Sequence, residues 1–526
     1  MKPLLAALLL LVGATGAQAE TVLNRGNGAE PDSLDPAFAG TTMEANILGD
    51  LMVGLTTLDG AARPVPGIAD HWETSRDGLT WTFHLRPARW SDGSKVTAQD
   101  FISAWRRLLD PKTAARTAQN LWIIRNAQAV TAGQMPPSAL GAAAPDPATV
   151  VITLERPAPY LPELLTQPCA LPLQPPALKT GPHPASYVSD GPYLLKTWVP
   201  NDHVTLVKNP GFYEAAGVKI DTVNYFPTAD TEAALRRLRA GELDMQTPLP
   251  NAQVSWLKAN MPGALHILPS LALAYIAINL GDPALADIRV RRALNLVYDR
   301  EAVAGKVMKL GERPAYALVP PTISDYANGP ELDFKPMPYP ARVALARRLM
   351  QDAGYGPFNK LTLTYAATGN PDSKRLAAVF QAMARQIYVE VRITVSDYAL
   401  VLRALRAHQF QLGYTTWLAD FDDASNFLDL LKSDSPGNYA AYRNPKFDAV
   451  LDAAEREPDV NRRAALLKTA ERIALKDLPS LPIRFLSQSE AVGPRVGGYV
   501  PNRLDFNRSR WLWIKKLGIG SPRVTP

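Results

Sequence analysis

Cysteine is almost absent from this chain. Cys169 stands alone among 526 residues, so no internal disulfide can form and a disulfide-built scaffold is excluded. Histidine is sparse too. The six histidines are His71, His84, His183, His203, His266 and His408, and no two lie within five residues, which excludes HExxH and related zinc pairs. There is no GxSxG elbow, no GxxxxGK[ST] loop and no GxGxxG turn, so no local motif points to a catalytic serine, a nucleotide or a dinucleotide. One-sided charge is missing as well. Lys and Arg number 56 against 50 Asp and Glu, spread without a run of five like charges, which is not the concentrated basic face of a nucleic-acid binder. No metal ligand set and no cofactor motif is offered, and no enzyme activity is expected.

Proline is what the chain has in excess. Its 47 prolines against 33 glycines mark stiff connections rather than a collagen-like repeat, and a hydrophobic share of 47% suits a packed globule. The N-terminus reads as a secretory leader, Met1–Ala19. Lys2 precedes the apolar run Leu4–Val12, and Ala17-Gln18-Ala19 offers a cleavage site before Glu20. Nothing later reaches 18 apolar residues, so a soluble mature chain exported to a periplasm is expected. Cys169 reads as a small buried hydrophobe.

Two proline-rich stretches, Gln134–Thr149 and Leu161–Pro184, read as connections. Strands are predicted over Thr80–Leu85, Val150–Leu154, Tyr193–Trp198 and His203–Lys208, the last two as a hairpin. Helices are predicted over Ala98–Leu109, Thr231–Ala240 and Asp459–Lys476. From residue 340 the elements alternate: helix Pro340–Ala353, strand Leu361–Tyr365, helix Ser373–Gln386, strand Val389–Val395, helix Ala399–His408, strand Phe410–Thr416. That alternation predicts a mostly parallel α/β lobe, which binds ligands beyond the C-terminal ends of its strands.

The segment Gly413–Asp429, GYTTWLADFDDASNFLD, leaves the last of these strands. A carboxylate at a strand end beside an indole can receive a cation through both a charge-assisted bond and the aromatic face. Asp422 and Asp423 read as a solvated acidic loop, one of them capping a helix from Ala424. Arg289, Arg291 and Arg292 sit in a helical pattern and read as a solvated or interlobe ion-pairing face.

The order of motifs resembles the oligopeptide-binding family of periplasmic solute receptors for peptide ABC importers, over essentially the whole mature chain. The resemblance rests on Gly28–Pro36 (GAEPDSLDP), Pro66–Pro111, Asp190–Trp198 (DGPYLLKTW), Tyr275–Arg300, Thr416–Asp420 (TWLAD) and Gly497-Gly498-Tyr499. Its oligopeptide and murein-peptide branch is the nearest match. The resemblance implies an α/β fold of the type II periplasmic binding protein kind: two lobes closing on a ligand, plus an insertion domain. Domain I would comprise 20–42, 170–270 and 488–526, domain II 43–169 and domain III 271–487.

It further implies a monomer that takes short peptides and passes them to an inner-membrane permease. Peptide backbone would add to Ala29–Asp32 (Ala29, Glu30, Pro31, Asp32) and to Tyr414–Leu418 (with Tyr414, Thr416 and Leu418 in contact). Asp420 would meet the peptide ammonium, Trp417 and Tyr275 would wall the cavity, and Glu30 would supply an acid at the peptide edge. The basic partners of the ligand carboxylate are missing from their usual places, which hold Tyr414 and Ser373. Arg406, Lys306 or Lys309 are the candidates to replace them. A murein peptide or another amine-bearing solute is the alternative ligand.

Overall fold

A computed structural model of the chain describes residues 20–515 apart from 181–185, 248, 250 and 505. The leader Met1–Ala19 and the prolines Pro182 and Pro184 lie outside the described residues. Among the described residues no helix is long and apolar enough to cross a membrane.

A single sheet of 11 strands passes through both lobes. Its order is Val389–Ser396, Leu361–Thr368, Leu412–Leu418, Leu265–Ile278, Ser480–Val492, Met245–Gln246, Val22–Gly26, Thr222–Phe226, His203–Lys208 and Tyr193–Val199, with Arg313–Pro314 beside Ser480–Val492. The two long central strands run antiparallel and cross from one lobe to the other. Their register slips between Pro269 and Leu273 and again at Ala274/Tyr275. Such irregularities bend a strand and sharpen its twist, so the connection between lobes is curved rather than flat.

The expected alternation holds in the second lobe. Helix Tyr339–Asp352 is followed by strand Leu361–Thr368, helix Pro371–Ala384, strand Val389–Ser396, helix Tyr398–Arg406 and strand Leu412–Leu418. The first two strands pair in parallel along their whole length, with Leu361, Leu363 and Tyr365 buried on one face. The predicted hairpin is present as Tyr193–Val199 against His203–Lys208. The turn before it needs glycine: a Cβ on Gly191 would come within 2.5 Å of the Leu51 backbone.

A separate four-stranded antiparallel sheet, Ala69–Thr74, Thr80–Leu85, Thr149–Thr153 and Ala142–Asp146, lies within the stretch expected to form the insertion. Helix Ala98–Leu109 packs on it through Phe101, Trp105 and Leu108. Two apolar cores result. One gathers the insertion with the strands around Leu23, Val223 and Tyr225; the other fills the second lobe and takes in Ala234, Leu238 and Leu257.

Three local expectations fail. Gln134–Thr149 is not purely a connection, because Ala142–Asp146 hydrogen-bonds as an edge strand. Its Pro145 is tolerated there since an edge strand can spare a donor. Asp422 and Asp423 are not a solvated loop; both are buried. Asp423 forms a two-pronged ion pair with buried Arg463, and Asp422 pairs with Arg503. Arg291 is buried rather than solvated, and donates to the carbonyls of Leu285, Ala286 and Asp477, while Arg289 and Arg292 pair with Asp287 and Asp333. Cys169 is buried as expected, and burial pushes its thiol up to about 12.

Candidate functional site

Strand Leu412–Leu418 carries the central observation. Through Gly413 it pairs with Leu361–Thr368, and from Ala272 to Ile278 it is covered on its other side by Leu265–Ile278. Beyond Gly413 the parallel neighbour diverges, so on that side the Tyr414–Leu418 edge has no strand against it among the described residues. An edge of unpaired backbone donors and acceptors is the template to which an extended chain can add.

Two cavities follow this edge. A cavity of about 590 Å³ opens at the C-terminal ends of the parallel strands, with Thr368, Ser373, Asp397, Tyr414, Thr416 and Arg484 in its wall. Ligands sit at such strand ends because neighbouring crossovers part there. A second cavity of about 260 Å³ lies further along. Leu418, Ala419 and Asp420 of the second lobe meet Gly40, Thr41 and Gln167 from elsewhere in the chain.

Asp420 stands exposed at the second cavity, with no ion pair among the described residues. Its main chain is pinned on both sides. The backbone N–H donates to Asn426 Oδ1 at 3.3 Å, and Gln167 Nε2 donates to its carbonyl at 2.6 Å. Partial burial raises the carboxyl above its usual range, and Asn426 offsets part of this. Trp417 is half-buried and fixed by the same asparagine, its Nε1–H donating to Asn426 Oδ1 at 2.7 Å. Leu418 is 66% exposed, a large apolar side chain left open at the cavity wall. The loop after Asp420 is docked on the insertion: Phe421 stacks on Tyr160 at 4.1 Å, and the Asp422 N–H donates to Glu163 at 2.9 Å. Burial, then the nearby Asp422 charge, pushes the Glu163 carboxyl up to about 7.

At the other end the structure reveals a residue that the sequence did not single out. Arg484 is buried in the wall of the larger cavity, its Nε 2.7 Å from Glu312. Nη2 donates to the Tyr414 hydroxyl at 3.1 Å, and Nη1 has no hydrogen-bond partner among the described residues. Burial alone would lower its pKa; the Tyr414 and Glu312 neighbours outweigh that and raise it, so the guanidinium is charged. Glu312 is raised by burial, with Arg484 opposing. A lone arginine inside the apolar run Leu481–Leu486 was the available signal. Arg406, Lys306 and Lys309 line neither cavity. Ser373 does line the larger one, but its hydroxyl is taken by the Thr368 N–H at 3.0 Å.

Tyr275 corrects an expectation. It is buried, and with Leu273 and Phe427 it bounds a cavity of about 20 Å³ inside the second lobe. Alternation along the strand explains this: its neighbour Ala274 faces Thr416 and Arg484 across the sheet, so Tyr275 points to the other side. Ala29–Asp32 lies in the first lobe as an unpaired segment after strand Val22–Gly26, outside both cavities. Ala29 and Asp32 are exposed and Pro31 is buried. Glu30 accepts the Trp198 Nε1–H at 2.8 Å, and Asp32 pairs with Arg116 at 2.9 Å.

Two lobes threaded by one sheet, and a strand edge left open beside a cavity with an exposed carboxylate beyond one end, have the form of a receptor for an extended solute. Comparison with known proteins supplies the family. The model for bacterial extracellular solute-binding proteins, family 5, matches residues 63–439, and the chain belongs to that family. It is 34% identical to the periplasmic oligopeptide-binding protein OppA of Escherichia coli, over 96% of this chain and 94% of that one. It is also 34% identical to a probable deoxycholate-binding periplasmic protein of E. coli, over 94% of each chain. The solved structure of an unliganded, open murein tripeptide binding protein, MppA, covers 94% of this chain and 98% of its own, with a TM-score of 0.86 at 32% identity.

Proposed function

We propose that this protein is the periplasmic receptor of an ABC importer for short peptides, capturing them between its lobes and delivering them to an inner-membrane permease as a monomer. The open Tyr414–Leu418 edge supports this most directly. Main-chain pairing there gives affinity without reading side chains, and Ala29–Asp32 offers a second unpaired segment from the opposite lobe. Tyr414 to Asp420 spans six residue steps, roughly 20 Å of extended chain, room for a peptide of about three to five residues between the end anchors. Asp420 takes the ligand ammonium, with Trp417 and Leu418 beside it. The ligand carboxylate meets the partnerless Nη1 of Arg484. The leader 1–19 and the division into 20–42/170–270/488–526, 43–169 and 271–487 belong to the same reading.

A murein peptide is the second reading, favoured by one observation. The larger cavity is lined by Glu312, Asp372 and Asp397 against Arg484 alone, a balance suited to a ligand with an additional ammonium.

Calorimetric titration with a free tripeptide and its N-acetylated form tests the proposal. The free form is expected to bind much more tightly; equal affinities would remove Asp420 from its role. Deoxycholate has a carboxylate and no ammonium, so tight binding of it, indifferent to Asp420, would overturn the peptide reading.

A further inference from the structure

Far along the chain from the Asp420 end of the cleft, the insertion sheet brings three metal-ligating side chains together. His71 and His84 are direct cross-strand partners in the antiparallel pair Ala69–Thr74 and Thr80–Leu85. Glu73 lies two residues on from His71, hence on the same face of its strand. That face is the outer one: Trp81 and Phe83 point inward to the core, while His71 and Glu73 are exposed and His84 is half-buried. The imidazole rings stack with centroids 4.4 Å apart and planes 13° from parallel. One nitrogen from each histidine and one Glu73 oxygen all lie within 4.8 Å of one another.

A second observation concerns how His71 is held. The register slips between Ala69 and His71, and this bulge turns Asp70 toward its neighbour. The His71 Nδ1–H donates to Asp70 Oδ1 at 2.5 Å. A carboxylate on one ring nitrogen fixes the tautomer and leaves Nε2 as a free, more basic donor, the arrangement usual behind metal-bound histidine.

The geometry points to a surface site for a divalent transition ion, with His71, His84 and Glu73 as ligands and a fourth position left to water. Imidazole with one carboxylate suits zinc or nickel and disfavours magnesium and calcium, which prefer oxygen ligands. Small side-chain rotations close the set, since ligand atoms on one ion sit nearer than those here. The site is independent of the peptide reading, because none of the three residues lines either cleft cavity.

Titration of the tag-free, EDTA-treated protein with zinc, followed by calorimetry, tests it. One zinc per chain at micromolar affinity is expected. His71→Ala and His84→Ala should each weaken it at least tenfold, and Glu73→Gln severalfold, while peptide affinity stays unchanged as the check on folding. No binding below millimolar zinc, or binding undiminished in a His71→Ala/His84→Ala double variant, would overturn the assignment.

Discussion

At one end of the Tyr414–Leu418 edge stands Asp420, exposed and without a cationic partner among the described residues; at the other stands Arg484, buried and already paired with Glu312. The two ends use charge differently. An ammonium reaching Asp420 displaces solvent and forms a new pair. A carboxylate reaching Arg484 enters a site whose charge is compensated, and must share the guanidinium with Glu312. On the function proposed above, the first end would set affinity, while the second would set which anionic groups are admitted.

Breaking the second end should give the largest effect, and on stability. Arg484→Met leaves Glu312 buried without compensation, and a loss of about 3–5 kcal/mol is expected in chemical denaturation. The double variant Arg484→Met/Glu312→Leu should recover most of that loss, yet cease to distinguish a peptide acid from its C-terminal amide. Breaking the first end should leave stability alone. Asp420→Asn is expected to weaken a free-amine peptide by about 2–5 kcal/mol with an unchanged melting midpoint. Loss of stability in Asp420→Asn comparable to Arg484→Met would erase the contrast between the ends. A milder change sharpens it: Glu312→Gln frees Arg484 and should tighten binding of peptide acids by about 1 kcal/mol, with no gain for amides.

The smallest expected effect is on pH dependence. Glu163 accepts the N–H of Asp422 where the Asp420 loop docks. Burial lifts its carboxyl from 4.5 to about 7, so the folded chain holds that proton more tightly than the unfolded chain does. Its contribution to stability is full below about pH 4.5 and is lost as pH rises through about 7. Melting midpoints of the ligand-free protein should therefore decline from pH 5 to 8 through this group, and Glu163→Gln should flatten that part of the slope. An unaltered slope would mean that the docked loop is insensitive to this carboxyl.

Much of the fold was readable because local signals agreed. Ala98–Leu109 combines an apolar helical stripe with Asp110-Pro111 to end it, and it forms with those bounds. The alternation after residue 340 survives because each helix and strand has its own period. Ala142–Asp146 was hidden because its pairing partner, not its Ala- and Pro-rich composition, makes it a strand. Asp420 and Trp417 were singled out by resemblance. Arg484 was not, because its pairing with Glu312, some 170 positions earlier, is made only by the fold. Asp422 and Asp423 misled for the same reason: Arg503 and Arg463 turn a string of acids into buried pairs. Tyr275 failed on a single step of strand alternation.

The unpaired edge has a consequence for the protein's own safety. On an outer surface, a row of free backbone groups beside a 66% exposed Leu418 would invite neighbouring chains to pair and aggregate. In the wall of a cavity of about 590 Å³, the Tyr414–Thr416 part of that row is within reach of a thin, extended segment, whereas the broad sheet of another folded protein needs an open flank. A cavity wall of this kind favours a thin partner over a thick one, a bias that works against pairing between copies of the chain.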